Sequence, residues 1–195
     1  MIITLLSYKG GTGKTTAAIN LAGWLNQSAP TVLVDADANR SSLSWSQRGQ
    51  LPFRVADEGE AAKVARQFEH IVLDTPARPS GAKLKGYADG ADALILVVSP
   101  DALSIDAAIP AIADLKALKA DFKVLVSMIR PNTSDDEAAR AALERLGVKI
   151  FKQSIRQYIA ARKAALDGVL VKDVNDPHAN DLWADYGAIA KEILK

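Results

Sequence analysis

The chain contains no cysteine, and this absence removes several kinds of chemistry at once. Disulfide bonds, thiolate zinc sites, iron–sulfur clusters and cysteine nucleophiles are all excluded. A chain without disulfides suits a reducing compartment, so we expect a cytoplasmic protein. Histidine is scarce as well: the only two residues, His70 and His178, lie near no recognisable catalytic partner, which disfavours a metabolic enzyme with a histidine-based catalytic set.

Long apolar segments and an excess of one charge are also missing. The longest apolar run, Ala93–Val98, is far too short to cross a bilayer, and the first residues lack the features of a secretory signal. The 24 basic residues are balanced by 23 acidic ones, so attraction to nucleic acid or membrane requires a local patch. A length of 195 residues, 49% of them hydrophobic, predicts one soluble domain spanning residues 1–195.

Five short β-rich runs alternate with alanine-rich segments of helical period. The runs are Ile2–Ser7, Thr31–Ala36, Ile71–Asp74, Ala93–Ser99 and Lys123–Ile129. Because they are continuously apolar, we predict an α/β fold with a doubly wound, mostly parallel sheet and helices on both faces. Ligands bind at the carboxyl ends of the strands in such sheets, so the functional site is expected at that edge.

The first run is followed by KGGTGKTT at residues 9–16 and then by a helical pattern over Thr15–Asn26. A strand, a glycine-rich loop and a helix in this order predict a phosphate-binding P-loop. The three glycines let backbone N–H groups approach phosphates, Lys14 adds a full positive charge, and the Thr15 hydroxyl can bind magnesium. The general pattern has glycine where this chain has Tyr8. We expect a nucleoside triphosphate to bind here together with Mg²⁺.

Two later strands end on carboxylates. DADAN at residues 35–39 places Asp35 and Asp37 after the second run, and HIVLDTPA at residues 70–77 closes on Asp74. A carboxylate at the end of that strand is the expected holder of the magnesium shell. Asp35 and Asp37 fit either a phosphate site or an N-cap of the helical pattern that begins at Ser41. With the P-loop, the order of the three signals favours the phosphate site.

Together, KGGTGKTT, DADAN and VLDTPA resemble the deviant Walker ATPases, specifically the ParA group of the ParA and MinD family, over nearly the whole chain. The resemblance implies that Lys9 reaches across a nucleotide-sandwich homodimer to the other subunit's phosphates, which makes ATP binding and dimerisation one event. It also implies that Asp37 orients the attacking water and that Asp35 supports the magnesium and phosphate environment. Where the family usually has D-x-D-P-Q, this chain has Ala38 and Asn39 after Asp37.

The residues that this resemblance assigns to the site have overlapping roles. The catalytic residues are Lys9, Lys14 and Asp37. The residues that bind the nucleotide are Lys9, Gly10, Gly11, Thr12, Gly13, Lys14, Thr15, Thr16, Asp35 and Arg130, the last of these near the base or ribose. The metal-binding residues are Thr15, Asp35 and Asp74. No glutamate base follows Asp74, so we expect slow hydrolysis, and the absence of an N-K-x-D motif argues against GTP in favour of ATP.

A basic stretch between Arg145 and Leu166 contains six basic residues and no acidic one. Lys152, Arg156 and Lys163 are spaced four and seven apart, so they share one face if the segment is helical, with Arg162 beside them. Such a face is either merely solvated or binds phosphates. Short ParA proteins, which this chain resembles, lack an N-terminal DNA-reading domain and bind nonspecific DNA through scattered basic residues. We therefore predict a DNA-binding face and association with the nucleoid.

Two classes of function remain open. The first is a positioning ATPase whose ATP-bound homodimer binds nonspecific DNA until a ParB-like or other cargo adaptor stimulates hydrolysis, with a plasmid, a chromosome or a protein organelle as cargo. The second is a MinD-like membrane-associated regulator, or a P-loop enzyme acting on a small molecule. Residues 181–195 have apolar positions at helical spacing but charges of mixed sign. A membrane-surface helix favours a basic polar face, so we predict a helix packed on the domain and no membrane contact.

Overall fold

Seven strands form one sheet in the computed structural model, which describes residues 1–195. The strands are β1 Ile2–Leu6, β2 Thr31–Asp35, β3 Arg54–Asp57, β4 His70–Asp74, β5 Ala93–Val98, β6 Phe122–Val126 and β7 Lys149–Ile150. Their order across the sheet is β3-β2-β4-β1-β5-β6-β7, and every neighbouring pair is parallel. The parallel α/β fold predicted from the sequence is confirmed.

Eight helices surround the sheet. They are α1 Lys14–Leu25, α2 Ser41–Arg48, α3 Ala61–Val64, α4 Gly81–Gly90, α5 Ala102–Ala117, α6 Asp135–Arg145, α7 Ile159–Asp167 and α8 Ala179–Ile193. Helices α1 to α6 lie between successive strands, and α7 and α8 follow β7. Short 3-10 turns lie at Glu58–Glu60, Ala65–Gln67 and Val171–Asp173. None of the helices is both long and apolar enough to span a membrane.

The two faces of the sheet are covered by different helices. Along β5, Ile95 and Val97 belong to the core that also contains the buried side chains of α1 and α8. The alternate residues Leu94, Leu96 and Val98 belong to a second core, which contains the buried side chains of α4, α5 and α6. Because successive side chains of a strand point to opposite faces, this division shows that helices pack on both sides of the sheet.

The two edge strands are the elements that the sequence analysis did not predict. β3 has four residues, of which only Ala56 is buried, and β7 has only two residues, neither of them buried. Neither edge strand therefore shows the continuously apolar pattern of the central strands. The C-terminal helix, by contrast, is confirmed as packed on the domain, because α8 buries Leu182, Tyr186 and Ile189 in the core that it shares with α1.

The strand order brings three loops to one edge of the sheet. Asp74 at the end of β4 pairs in register with Leu5 of β1 on one side and with Asp35 of β2 on the other. The chain leaves β1 into the glycine-rich loop, leaves β2 into the DADAN segment, and leaves β4 into residues 75–80. The carboxyl edge of these strands is therefore the place to look for a site.

Candidate functional site

The glycine-rich loop has a backbone that two of its glycines make possible. Gly11 and Gly13 have φ angles of 79° and 81°, in the left-handed region that side chains with a β-carbon rarely adopt. A β-carbon at Gly13 would also lie 3.0 Å from the Ser127 hydroxyl. Gly13 is the N-cap of α1, so the N–H groups of the first helical turn are left free at the loop. The loop lines an open cleft of about 400 Å³.

Lys14, the first residue of α1, is bound to the end of β4. Its ammonium lies 2.5 Å from Oδ1 of Asp74 and also donates to the carbonyl oxygen of Thr75. The Thr15 hydroxyl donates to Oδ2 of the same carboxylate at 2.8 Å. Asp74 is fully buried and Lys14 is only 7% exposed. The structure thus brings together the lysine, the hydroxyl and the carboxylate that the sequence analysis assigned to the phosphates and the metal.

Ser42 is a member of this cluster that the sequence analysis missed. It lies in the first turn of α2, is fully buried, and donates its hydroxyl to Oδ2 of Asp74 at 2.8 Å. The carboxylate consequently accepts from Lys14, Thr15 and Ser42. A serine in the first turn of a helix is common in any protein, so no local signal marked this contact. It depends on the pairing of β2 with β4.

Asp35 is not the N-cap of α2, which is Arg40, but its carboxylate accepts from the first turn of that helix. Its carboxylate accepts from the backbone N–H of Asp37 at 3.1 Å and of Leu43, in the first turn of α2, at 3.0 Å. Burial raises the pKa of Asp35, the two backbone hydrogen bonds oppose that rise, and the nearby Asp74 carboxylate adds to it. The side chain is 3% exposed, with one oxygen bonded to the following loop and the other to α2, while its role toward a metal stays a prediction.

Asp37 is the carboxylate of this edge that faces the cleft. It is half-buried, lines the same cleft as Lys14 and Thr15, and accepts from the backbone N–H of Asn39 at 3.0 Å. Asn39 also lines the cleft. A carboxylate held by a local turn beside a phosphate loop has the placement that a water-orienting group needs.

Lys9 forms an ion pair within its own chain. Its ammonium lies 2.5 Å from Oδ1 of Asp101, the N-cap residue of α5, and the two side chains are 34% and 47% exposed. Asp101 also accepts from the hydroxyl of Ser99 and from the backbone N–H of Ser104. The hydrogen bond from Lys9 lowers the pKa of the Asp101 carboxyl. The lysine assigned to another subunit's phosphates is therefore held by a carboxylate in the single chain.

Arg130 lies beside the glycine-rich loop but is engaged with a neighbour. Its guanidinium contacts both oxygens of Asp135, with Nε to Oδ2 at 2.8 Å and Nη2 to Oδ1 at 3.3 Å. Both residues line a cleft of about 290 Å³ that is shared with Lys9, Gly10 and Gln157. This cleft adjoins the phosphate loop, which is the position that the predicted base or ribose contact requires.

The expectation that Lys152, Arg156 and Lys163 share one helix face is wrong. Residues 151–157 follow a non-helical path beside β6, with a bend at 152–153 and with the backbone N–H groups of Phe151 and Ile155 bonded to the carbonyls of Val124 and Val126. Only Lys163 of the three lies in α7. These backbone hydrogen bonds to the sheet replace the helical ones that the spacing of four and seven residues had suggested.

Two of the four basic residues assigned to DNA are neutralised by acidic neighbours. Arg156 contacts both oxygens of Asp185, which is 3% exposed, and Lys163 lies 3.0 Å from Asp176. Lys152 and Arg162 are exposed and form no ion pair. The contribution of all four residues to DNA binding stays a prediction, but the structure leaves only Lys152 and Arg162 with uncompensated charge.

The protein side chains alone do not form a closed metal cage. No group of three or more histidine, aspartate or glutamate residues is placed to hold an ion. Magnesium does not need one, because it is usually held by one or two carboxylates together with substrate phosphates and water. Thr15 and Asp74 supply a hydroxyl and a carboxylate side by side, and the buried hydroxyl of Thr12 in the loop has no hydrogen-bond partner. These residues fit a magnesium nucleotide.

Comparison with known proteins finds similarity to nucleotide-binding proteins. The model of the CobQ/CobB/MinD/ParA nucleotide-binding domain matches residues 3–171. Maintenance of carboxysome distribution protein A from Gloeobacter kilaueensis is 32% identical over 202 residues, which cover 98% of this chain and 93% of that protein. Apo McdA from Cyanothece has a TM-score of 0.79 at 18% identity, covering 100% of this chain and 99% of that chain. MinD from Pyrococcus horikoshii complexed with Mg-ADP has a TM-score of 0.74 at 18% identity, covering 100% and 96%.

Proposed function

Because the chain belongs to the CobQ/CobB/MinD/ParA nucleotide-binding family, we propose that it is an ATPase that positions a cargo in the cell. In this proposal ATP drives formation of a homodimer that binds nonspecific DNA, and an adaptor on the cargo stimulates hydrolysis and so releases the protein from the nucleoid. The relative named for carboxysome distribution favours a large protein assembly over a plasmid or chromosome as the cargo.

The observation that carries the proposal is the cluster of Lys14, Thr15 and Asp74 at the end of the glycine-rich loop. Lys14 binds the terminal phosphates of ATP, and Thr15 and Asp74 hold Mg²⁺ directly or through water. Bound Mg²⁺ supplies charge neutralisation at the phosphates, where negative charge develops during transfer. In the structure, the Lys14 ammonium donates to Asp74 and to Thr75. Nucleotide binding therefore replaces some of these hydrogen bonds with hydrogen bonds to phosphate oxygens.

Hydrolysis in this site depends on placing a water molecule rather than on a strong base. Asp37 lines the cleft next to Lys14 and is the group that we assign to orienting the attacking water. Its carboxylate is held by a turn that ends in the exposed residues Ala38 and Asn39, so an approaching protein can change its position. In this proposal turnover is slow because the exposed segment holds Asp37 in place for the water only when an adaptor binds.

Lys9 couples nucleotide binding to dimerisation in this proposal. It leaves Asp101 and contacts the phosphates bound by the other subunit, so that the sandwich dimer requires ATP. The Asp101 carboxylate and the phosphates compete for the one ammonium group of Lys9. An exposed ion pair contributes only about 0–1 kcal/mol to stability. The ion pair between Lys9 and Asp101 is therefore weak enough for a triphosphate to displace the carboxylate.

DNA binding in this proposal depends on the two exposed basic residues that form no ion pair, Lys152 and Arg162. The dimer carries two copies of Lys152 and Arg162, and joining both copies in one rigid body raises the avidity without any new contact. Each phosphate contact releases counterions, so the binding falls steeply with salt. The membrane alternative has less support, because the apolar side chains of α8 are buried in the core.

The first experiment measures ATP hydrolysis and self-association in the wild type, Asp37→Ala and Lys9→Ala. Asp37→Ala should bind ATP and accumulate as a dimer with hydrolysis nearly abolished. Lys9→Ala should still bind ATP by calorimetry but stay monomeric by light scattering. ATP-dependent dimers of Lys9→Ala, or normal turnover of Asp37→Ala, would contradict the assigned roles.

The second experiment separates DNA from membrane as the bound surface. The wild type is sedimented with unrelated DNA duplexes and with anionic liposomes, each with ATP, with ADP and at rising salt. Lys152→Glu with Arg162→Glu should abolish ATP-dependent DNA retention and leave dimerisation intact. The control carries the same charge change at Lys63 and Lys119, exposed lysines without ion pairs elsewhere. Equal loss in both double variants, or retention on liposomes alone, would contradict the DNA proposal.

A further inference from the structure

Tyr8 stands where the general phosphate-loop pattern has glycine, and it is bonded to the segment that follows β4. Its hydroxyl donates to the carbonyl oxygen of Pro79 at 2.7 Å. The ring is half-buried against the core on the α4 and α5 side, and burial raises the pKa of the Tyr8 hydroxyl to about 12. A tyrosine hydroxyl is protonated at neutral pH in any case, and it acts here as the hydrogen-bond donor.

Arg78 completes the connection from the other side. Its backbone N–H donates to the carbonyl oxygen of Ser7 at 2.8 Å, and its Nε donates to the carbonyl oxygen of Tyr8 at 2.7 Å. Arg78 has a φ of 55°, a left-handed conformation that is unfavourable for a residue with a β-carbon. Such a conformation persists only where the surroundings fix it. We call these three hydrogen bonds between residues 7–8 and 78–79 the latch.

The latch lies between the phosphate cleft and a weakly anchored helix. On one side, Ala77 lines the cleft, and only Thr75 and Pro76 separate it from Asp74. On the other side is α4, whose only buried residue is Leu84. The helix contains Gly86, around which an added β-carbon would meet no atom within 4 Å, so close packing is absent there as well.

We propose that Tyr8 is a positioning residue for hydrolysis, because the latch holds the cleft wall at Ala77 against the phosphate loop and fixes the N-terminal end of α4. The proposal rests on the ATPase function proposed above. Tyr8 touches neither nucleotide nor metal in this scheme. It acts through residues 75–77, which connect the latch to the carboxylate and carbonyl that bind Lys14. A change at Tyr8 therefore affects turnover more than ATP affinity.

The first test is hydrogen–deuterium exchange of the nucleotide-free protein, which requires no ATPase activity. Tyr8→Phe removes one hydroxyl and one hydrogen bond. We expect the amide hydrogens of residues 81–90 to exchange roughly three- to tenfold faster, with no change in α1. Tyr87→Phe is the matched control, because Tyr87 is half-buried against the same core and its hydroxyl makes no hydrogen bond. Unchanged exchange in Tyr8→Phe would contradict the proposal that the latch fixes the N-terminal end of α4.

The second test separates positioning from a purely structural role. Tyr8→Phe should lower kcat roughly three- to tenfold, while the Kd for a non-hydrolysable ATP analogue changes less than about twofold. Adding Gly86→Ala stiffens α4 without touching the latch, so the double variant should recover slow exchange in residues 81–90 but not kcat. Recovery of kcat, or a kcat for Tyr8→Phe equal to that of Tyr87→Phe, would overturn the positioning role. A wild type without ATP hydrolysis would contradict the proposed function and leave the exchange result standing.

Discussion

Helices α1 and α4 both follow a loop at the carboxyl edge of the sheet, yet they are held in opposite ways. Nine of the 12 residues of α1 are buried, against one of the 10 residues of α4. α1 begins at Lys14 and packs against α8, whereas α4 has one buried residue, Leu84, together with the half-buried Tyr87 and Ala88 and the latch at its N-terminal end. The loop before α1 and Ala77 in the loop before α4 line the same cleft.

This difference indicates which side of the site is fixed and which side can move. Segments with few buried apolar contacts open at the lowest free-energy cost, and moving parts of binding sites are drawn from such segments. α1 offers the phosphates a rigid partner. The chain from Asp74 to α4 is the part whose position can differ between nucleotide states. Three predictions test this contrast between the two helices.

The largest effect is expected at the start of α1. Lys14→Ala leaves the Asp74 carboxylate buried without its cation, which costs about 3–5 kcal/mol of unfolding free energy. ATP affinity should fall roughly 100-fold or more because the loop loses its charge opposite the phosphates. Denaturant unfolding and calorimetry measure the two effects. Lys85→Ala on α4 is the control: its pair with Asp89 is 59% and 61% exposed, and its loss should cost below about 1 kcal/mol. Unchanged ATP affinity in Lys14→Ala would refute the site.

A smaller loss is expected where α1 is closely packed. A β-carbon at Gly23 would lie 2.5 Å and 2.7 Å from the two terminal carbons of Leu170, which is fully buried. Gly23→Ala should therefore destabilise the protein by about 1–3 kcal/mol, in spite of the better helix propensity of alanine. Denaturant unfolding measures this change. A Gly23→Ala variant as stable as the wild type would show that α1 is less tightly enclosed than its burial indicates.

The smallest effect, of the opposite sign, is expected in α4. Gly86 is exposed in the middle of the helix, and an added β-carbon meets nothing within 4 Å. Gly86→Ala should raise the unfolding free energy by about 0.5–1 kcal/mol, because alanine loses less backbone entropy in a helix. For a chain of this size, the melting temperature should rise by about 1–4 °C. A lower melting temperature would mean that α4 packs more closely than this structure shows.

The central strands and the phosphate loop could be predicted because each carries its own local signal. β1, β2, β4, β5 and β6 are apolar runs, and the glycines and Lys14 form a recognisable pattern between β1 and α1. Asp35, Asp37 and Asp74 could be found since each stands at or next to a strand end. β3 and β7 could not be predicted, because both are short and edge strands bury few side chains, so neither shows an apolar run.

The contacts that the sequence did not reveal are long-range. Ser42 reaches Asp74 only because β2 pairs with β4, and Lys9 meets Asp101 across 92 positions of the chain. The prediction that the basic residues share one helix face was wrong for a related reason. Lys152, Arg156 and Lys163 have a spacing that suits a helix, but hydrogen bonds to β6 and to Ile129 hold residues 151–157 in a non-helical path. Tertiary contacts decided the backbone conformation there, and local spacing did not.

The short edges of the sheet restrict one route by which copies of the chain could associate, the pairing of edge strands. An unpaired edge strand can bind the edge of another molecule through its backbone and start aggregation. β3 offers four residues for such pairing and β7 offers two, at opposite ends of the sheet. Runaway polymerisation by strand addition is disfavoured at both ends. Contacts between copies of the chain are therefore left to loops and side chains and not to the backbone of the sheet edges.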